Sequence, residues 1–332
     1  MYKIKQKPSD FIVKEINNLK CVKDGPYAVF ILDKIGYNTI DVIQRIAKFL
    51  KIKPRQIGYA GNKDKNAMTT QLITVERKYQ NKLSKFKILD RQLVFKGYSK
   101  NPLFLGDLIG NEFGIFVRNL TQKQAKDFEV KYREFDKVKI INFFGEQRFS
   151  KNNADVGKAI IKGDFKLAIE LISSTNNKLN NEFHDYLGGK KNDYVGALKL
   201  VPDKLLKLFV HAYQSFMWND CAKQYIGDKD IYDMENIPIT ILGFGSDIPY
   251  ELETIYDNIL SKEQVTQRDF IIKSLPHLSQ EGAERDLFVF AEDLSIGPIL
   301  QDKLNKNKFY IKILFRLQKG CYATEVIKQM FT

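Results

Sequence analysis

At 332 residues, 44% hydrophobic and 28% charged, the chain has the make-up of a folded globular protein, which excludes a disordered or collagen-like chain, and its length calls for two domains or one large elaborated one. Lys and Arg number 53 against 40 Asp and Glu, a formal net charge of +13, and an excess of that size attracts polyanions, with nucleic acid the leading class of partner. There is no apolar run of about 18 residues and no strongly basic amphipathic segment to suggest a membrane, and the N-terminal MYKIKQKPSDF lacks the apolar stretch of a signal peptide, so cytoplasmic residence is expected.

In chain order, Tyr27 to Leu32 reads as a strand and Thr39 to Leu50 as an amphipathic helix with Thr39 as its N-cap. Arg55 to Ala60 is a short run ending in small residues, and Gln71 to Glu76 alternates polar and apolar side chains as a half-buried strand does. Between them, Gly58 to Gln71 reads GYAGNKDKNAMTTQ and sets Asp64 between Lys63 and Lys65 on a tight polar loop. Nearby positive charge favours an ionised carboxylate, and such a group can attack an electron-poor carbon or take a proton. The plain alternative is a solvated turn, because Asn and Asp favour turns and lysines favour surfaces.

Arg77 to Lys100 carries eight basic residues against one acid, Asp90, with Tyr79, Phe86, Phe95 and Tyr98 interleaved. Phosphate contact explains that pattern, and so does a Lys-guarded hairpin. Helical periodicity then takes over at Thr121 to Val138, Ala154 to Leu171 and Asp203 to Ile226. In the last, Leu205, Phe209, Ala212 and Phe216 join Leu206, Val210, Tyr213 and Met217 in a wide apolar stripe that predicts core packing. Ser173 to Asp193, rich in Asn and Lys and containing Gly188-Gly189, reads as a long loop near a domain edge. Lys308 to Leu317 returns to strand character, and no internal repeat is present.

Cys21, Cys221 and Cys321 are far apart and odd in number, which argues against a disulfide framework and against zinc-finger spacing; His184, His211 and His277 are isolated as well, so no metal site is expected. Leu242-Gly243-Phe244-Gly245 is too short for a dinucleotide fingerprint, and a P-loop is absent. A cofactor-dependent RNA methyltransferase and a nucleotide hydrolase are both unsupported.

The Asp64 loop resembles the signature of the TruD family of tRNA pseudouridine synthases, G-x-x-G-x-K-D-x-x-A-x-T-x-Q, with Gly58, Gly61, Lys63, Asp64, Ala67, Thr69 and Gln71 at the fixed positions. PSDFIVKE from Pro8, GDLIGNEFGIFVRNL from Gly106, NFFGEQRF from Asn142 and GCYATEV from Gly320 resemble the same family in the same order, as does AYQS at Ala212 to Ser215. The resemblance covers nearly the whole chain. Ser150 stands where the family usually has Gly, and Gln318 and Cys321 stand where Pro and Ser are common; none of these carries a side chain assigned to the reaction.

The resemblance implies an α+β fold: a pseudouridine-synthase catalytic domain at 1–156 and 285–332, with a mixed, mainly antiparallel sheet flanked by helices, and an inserted α/β TRUD domain at 157–284. It implies isomerisation of uridine 13 in the D-arm of tRNA to pseudouridine, with Asp64 as the essential residue and no metal or small-molecule cofactor. Phe11, Asn142 and Phe315 are implied to contact the target nucleotide in one site. Second-tier candidates are Lys63 as a donor to the freed uracil, Phe144 for packing and Arg148 for pairing with a phosphate or carboxylate. The expected partner is tRNA, and a monomer is favoured. The alternative is a non-catalytic RNA-binding or RNA-chaperone protein that retains the fold; the complete loop around Asp64 favours the enzyme.

Overall fold

In the computed structural model, which describes residues 1–88 and 91–332, Leu89 and Asp90 lie outside the described residues, and with them the one acid of the basic segment. The chain forms two compact units, one of residues 1–138, 290–323 and 330–332, the other of residues 139–289 and 324–329. The expected boundaries at Gly157 and Glu284 both lie inside the second unit. Neither position is a linker: the first falls in the helix Asn153–Ile161 and the second in the strand Ala283–Asp286.

The first unit is built on strands Phe11–Asn17 (β1), Tyr27–Ile35 (β2), Met68–Glu76 (β3), Val94–Ser99 (β4) and Leu108–Leu120 (β5), joined by the C-terminal strands Phe288–Ile296 (β6) and Phe309–Gln318 (β7). Their order is β4-β2-β3-β1-β5-β7-β6. β1 and β3 run parallel, Ile12 beside Met68 and Lys14 beside Thr70. The other neighbouring pairs along this order are antiparallel, giving the mixed, mainly antiparallel sheet that the resemblance implies.

Successive side chains of a strand point to opposite faces, and both faces of β2 and β3 are covered. Ala28, Phe30, Leu32, Ile73 and Val75 pack with Val42, Ile43, Ile46, Ala47 and Leu50 of the helix Thr39–Leu50 (α1). Val29 and Leu72 turn the other way, toward Ala60 and Leu103. Gln71 to Val75 are therefore buried without interruption, in place of the expected half-buried alternation, because β3 is an interior strand. Each large apolar side chain so buried contributes about 1.5–3 kcal/mol. The basic segment ends in β4, at the sheet edge.

α1 has the expected span, but its N-cap position is Asn38; Thr39 is its first residue and its side chain is used elsewhere. The helix expected from Thr121 runs only over Gln122–Tyr132, with Thr121 and Gln124 forming a reciprocal capping box.

The second unit is mainly helical. The periodic run from Ala154 divides into Asn153–Ile161 (α2) and Phe165–Ser173, separated at Gly163, whose φ is +74°. The expected loop between Ser173 and Asp193 instead contains the helix Asn177–Gly189. Asn176 caps it by accepting from the Leu179 N–H, and Leu179 and Phe183, spaced i and i+4, are its buried anchors within a polar sequence. Asp203–Ile226 (α3) forms as expected and buries Leu206, Phe209, Val210, Ala212, Tyr213 and Met217, while Phe216 remains exposed. Beside α3, Pro238–Ile241 and Ala283–Asp286 make a two-stranded antiparallel ribbon, tied to the helix by the Trp218 indole N–H donating to the Ile239 carbonyl at 3.1 Å. No helix among the described residues is long and apolar enough to cross a membrane.

α2 approaches α3 at Gly157, where a Cβ would meet the Phe209 carbonyl oxygen and lie 2.9 Å from Tyr213 Cβ. Backbone cannot yield as a side chain does, so Gly157→Ala is expected to lower unfolding stability by about 1–3 kcal/mol, read as a lower urea midpoint. An unchanged midpoint would mean that the two helices separate freely.

Candidate active site

The segment carrying Asp64 is suspended between two pieces of the same sheet. Gly58–Tyr59 pairs with Thr74 and Ile73 of β3, and the chain re-enters β3 at Met68. Gly58 is required at the entry, since a Cβ there would collide with the Leu103 backbone and Thr74 Oγ1.

Buried side chains hold the turn between these pieces through its main chain. The Gln71 amide donates to the Gly61 carbonyl at 3.0 Å, and the Thr39 hydroxyl donates to Gln71 Oε1 at 2.8 Å while accepting from the Lys63 N–H at 2.9 Å. Lys34, on β2 and only 1% exposed, directs its ammonium group at the carbonyls of Tyr37 (2.7 Å), Lys63 (3.0 Å) and Asp64 (3.0 Å). Its burial pulls its pKa from 10.5 down to about 8; Asp64 opposes the shift, Lys63 adds to it and Asp41 opposes it.

The two lysines that flank Asp64 in sequence do not both serve it. Lys63 turns inward and pairs with Glu15 of β1 at 2.6 Å, both side chains nearly inaccessible to water. The cation paired with the Asp64 carboxylate is Lys5, at 3.1 Å, from the segment before β1. Asp64 is half exposed, and the Lys5 ammonium also lies over the Phe11 ring, 4.1 Å from its centroid. Lys5 thus links two of the residues singled out from the sequence.

Phe11 begins a row of rings across three strands: its centroid is 6.0 Å from that of Phe113 on β5, which is 5.6 Å from that of Phe315, its register partner on β7. All three are buried, Phe315 at 1% exposure. The residue before Phe11 is clamped as well. Arg118 grips Asp10 through two hydrogen bonds of 2.9 and 2.8 Å and reaches Asp302 at 2.9 Å, all three being buried.

Asn142, Phe144 and Arg148 belong to the second unit. The Asn142 amide nitrogen donates to the Asp286 carbonyl at 3.0 Å, and its Oδ1 and main-chain oxygen accept from Arg285 at 2.5 and 2.9 Å. The Arg285 guanidinium also sits over the Phe144 ring, 4.1 Å from its centroid, and that ring meets Trp218 edge-on at 5.6 Å. Arg148 donates to Ser215 Oγ at 3.2 Å, which connects the NFFGEQRF and AYQS blocks. Arg285, 143 positions from Asn142, carries no local signal that marks it. Lys5 and Lys34 lack one too, whereas Glu15 and Gln71 lie within the quoted motifs.

Comparison with known proteins gives one consistent result. The family model described as tRNA pseudouridine synthase D (TruD) matches residues 2–185, 171–235 and 228–330. The chain is 31% identical to the protein named "Probable tRNA pseudouridine synthase D 2" of Methanocaldococcus jannaschii, over 99% of this chain and 91% of that one. It is 26% identical to the tRNA pseudouridine synthase D of Leptospira interrogans, over 99% and 96%. Among solved structures, a TruD protein of Methanosarcina mazei superposes with a TM-score of 0.74 at 26% identity, covering 99% of this chain and 93% of that one.

Glu15→Leu would leave the Lys63 charge buried without its partner. The expected cost is about 3–5 kcal/mol of stability, measured by urea unfolding; a midpoint within error of the wild type would show that Lys63 finds water or another acceptor.

Proposed function

This chain belongs to the tRNA pseudouridine synthase D family of isomerases acting on tRNA, and we propose that it converts uridine 13 in the D-arm of tRNA to pseudouridine with Asp64 as the essential residue. What carries the reading is the presentation of Asp64: a half-exposed carboxylate, on a turn whose main chain is held by buried donors and acceptors, with one cation on its edge. A solvated turn has no need of that support.

The isomerisation breaks the C1′–N1 bond, turns the uracil and joins C5 to C1′, with the C5 hydrogen leaving as a proton and the freed N1 taking one up from solvent. No electrons are gained or lost overall. The demanding species is the electron-poor sugar, and a fixed carboxylate can either add to C1′, as a retaining glycosidase nucleophile does, or take the C2′ proton. Both routes need the same ionised group at a defined place. Lys5 holds the Asp64 carboxylate from one side through Oδ2, and Lys63, committed to Glu15, acts on the loop from within.

A base in folded RNA must leave its stack before C1′ can be reached, at a cost of a few kcal/mol. Stacking on a ring offsets about 1–3 kcal/mol per base. The reading assigns Phe11 and Phe315 to that contact, which requires RNA binding to uncover rings that are now buried. Asn142, its amide already oriented by Arg285 and Asp286, has one amide N–H left for a nucleotide. The +13 charge supplies the attraction for phosphates, and the reading carries cytoplasmic residence with it.

Tritium release from C5-tritiated uridine in unmodified tRNA tests the proposal. The wild type is expected to release it and Asp64→Asn to bind tRNA with release abolished; an active Asp64→Asn would exclude the mechanism. Tight binding without release by the wild type would instead identify an RNA-binding protein that keeps the fold. Phe315→Leu, which retains an apolar core side chain, is expected to slow turnover about tenfold or more, the loss of roughly one stacking contact. Unaltered kinetics would return Phe315 to ordinary core.

A further inference from the structure

Lys34 is a charged group placed where an apolar side chain would be the ordinary occupant. It is 1% exposed, and its three acceptors are main-chain carbonyls, those of Tyr37, Lys63 and Asp64. An ammonium group has three N–H donors and no acceptor, so its hydrogen-bonding capacity is filled. The last two carbonyls have a particular location. The Lys63 carbonyl belongs to the peptide unit entering the Asp64 Cα and the Asp64 carbonyl to the unit leaving it. One ammonium group therefore holds both peptide planes around that Cα, and the orientation of those planes sets the direction of the Cα–Cβ bond.

We propose that Lys34 is a positioning residue for Asp64: its ammonium group aims the carboxylate by clamping the peptide units on either side of it, and loss of one proton from Lys34 releases the clamp. This inference rests on the reading of Asp64 as the reactive group. A neutral amine has two donors and a lone pair, so one of the three carbonyls would face a lone pair and lose its hydrogen bond. The charged groups facing Lys34 are Asp64 and Lys63 from the turn and Asp41 from α1; Lys63 is itself paired with Glu15, and Asp64 with Lys5. The Lys34 proton is held with a pKa near 8, so the clamp weakens as pH rises just above neutrality.

The sign of the stability effect is opposite to that of the clamp. In the unfolded chain this lysine keeps its proton to about 10.5, so between 8 and 10.5 the unfolded state binds more protons, and Lys34 contributes a rise of stability with pH. Deprotonation of Lys34 therefore cannot lower the rate in this window by unfolding the chain, and its effect on the rate is local.

The test uses the full chain as wild type, Lys34→Met and Lys34→Arg, from about pH 6 to 9.5. One readout is single-turnover tritium release from C5-tritiated uridine in tRNA. The other is hydrogen–deuterium exchange of residues 61–67, corrected for the chemical exchange rate. Lys34→Met is expected to slow release on the order of 10²-fold, as a misdirected catalytic group does, with tRNA affinity unchanged and rapid loop exchange at every pH. The wild type should lose rate and gain loop exchange as pH passes about 8, and Lys34→Arg, which keeps its charge, should lack that limb. A folded Lys34→Met with wild-type rate and exchange overturns the proposal. Should Lys34→Met fail to fold, the wild type decides alone, and loop exchange that stays flat through pH 8 overturns it. If no protein releases tritium, the isomerase reading fails by itself, and the exchange measurement still decides whether Lys34 holds the turn.

Discussion

Charge buried without water has to be met by acceptors, and that constraint organises the first unit around Asp64. Two lysines, Lys34 on β2 and Lys63 in the turn itself, are almost fully withdrawn from solvent, the first against three carbonyls and the second against Glu15. Neither arrangement is a strong source of net stability, because desolvation offsets much of the attraction. Each is intolerant of movement, since a displaced acceptor leaves a buried charge unpaired. The main chain of the turn is thereby hydrogen-bonded from within, while the carboxylate it carries stays half exposed.

Strand order makes this convergence possible. The parallel pairing of β1 with β3 sets Glu15 in reach of the turn, and the antiparallel pairing of β2 with β3 sets Lys34 beneath it. β5 and β7 continue the same sheet, so the rings of Phe113 and Phe315 follow from the ring of Phe11. The Arg118 pairs with Asp10 and Asp302 secure the start of β1, and Lys5, in the segment before it, pairs with Asp64. In the second unit Arg285 acts comparably, satisfying both oxygens of Asn142 and covering the Phe144 ring. A buried or half-buried amide with its acceptor taken has a fixed sense, which an unassisted Asn would lack.

Much of the fold was legible where a local period is strong. Asp203–Ile226 follows from its apolar stripe, and Thr39–Leu50 from its amphipathic face. Elsewhere composition and period disagree, and the local pattern misleads. Asn177–Gly189 is polar enough to look like a loop, yet Leu179 and Phe183 alone anchor it as a helix. Gln71 to Glu76 alternates in polarity, but the polar positions Gln71 and Thr74 are buried too, because they spend their side chains on the Gly61 carbonyl and the Leu103 N–H.

By itself the sequence determined the turn and its carboxylate, since Gly, Asn and Asp shape a turn through their own backbone preferences, and the motif positions around Asp64 are neighbours along the chain. It determined the family as well, through blocks that keep their order from Pro8 to Val326. Only the tertiary structure decided which cation meets Asp64, that Lys63 faces inward, that Lys34 underlies the turn and that Arg285 orients Asn142. Those contacts join residues 29 to 143 positions apart, and whether such residues meet depends on strand register and on the cost of leaving a buried charge unpaired, neither of which is a property of a local stretch of chain.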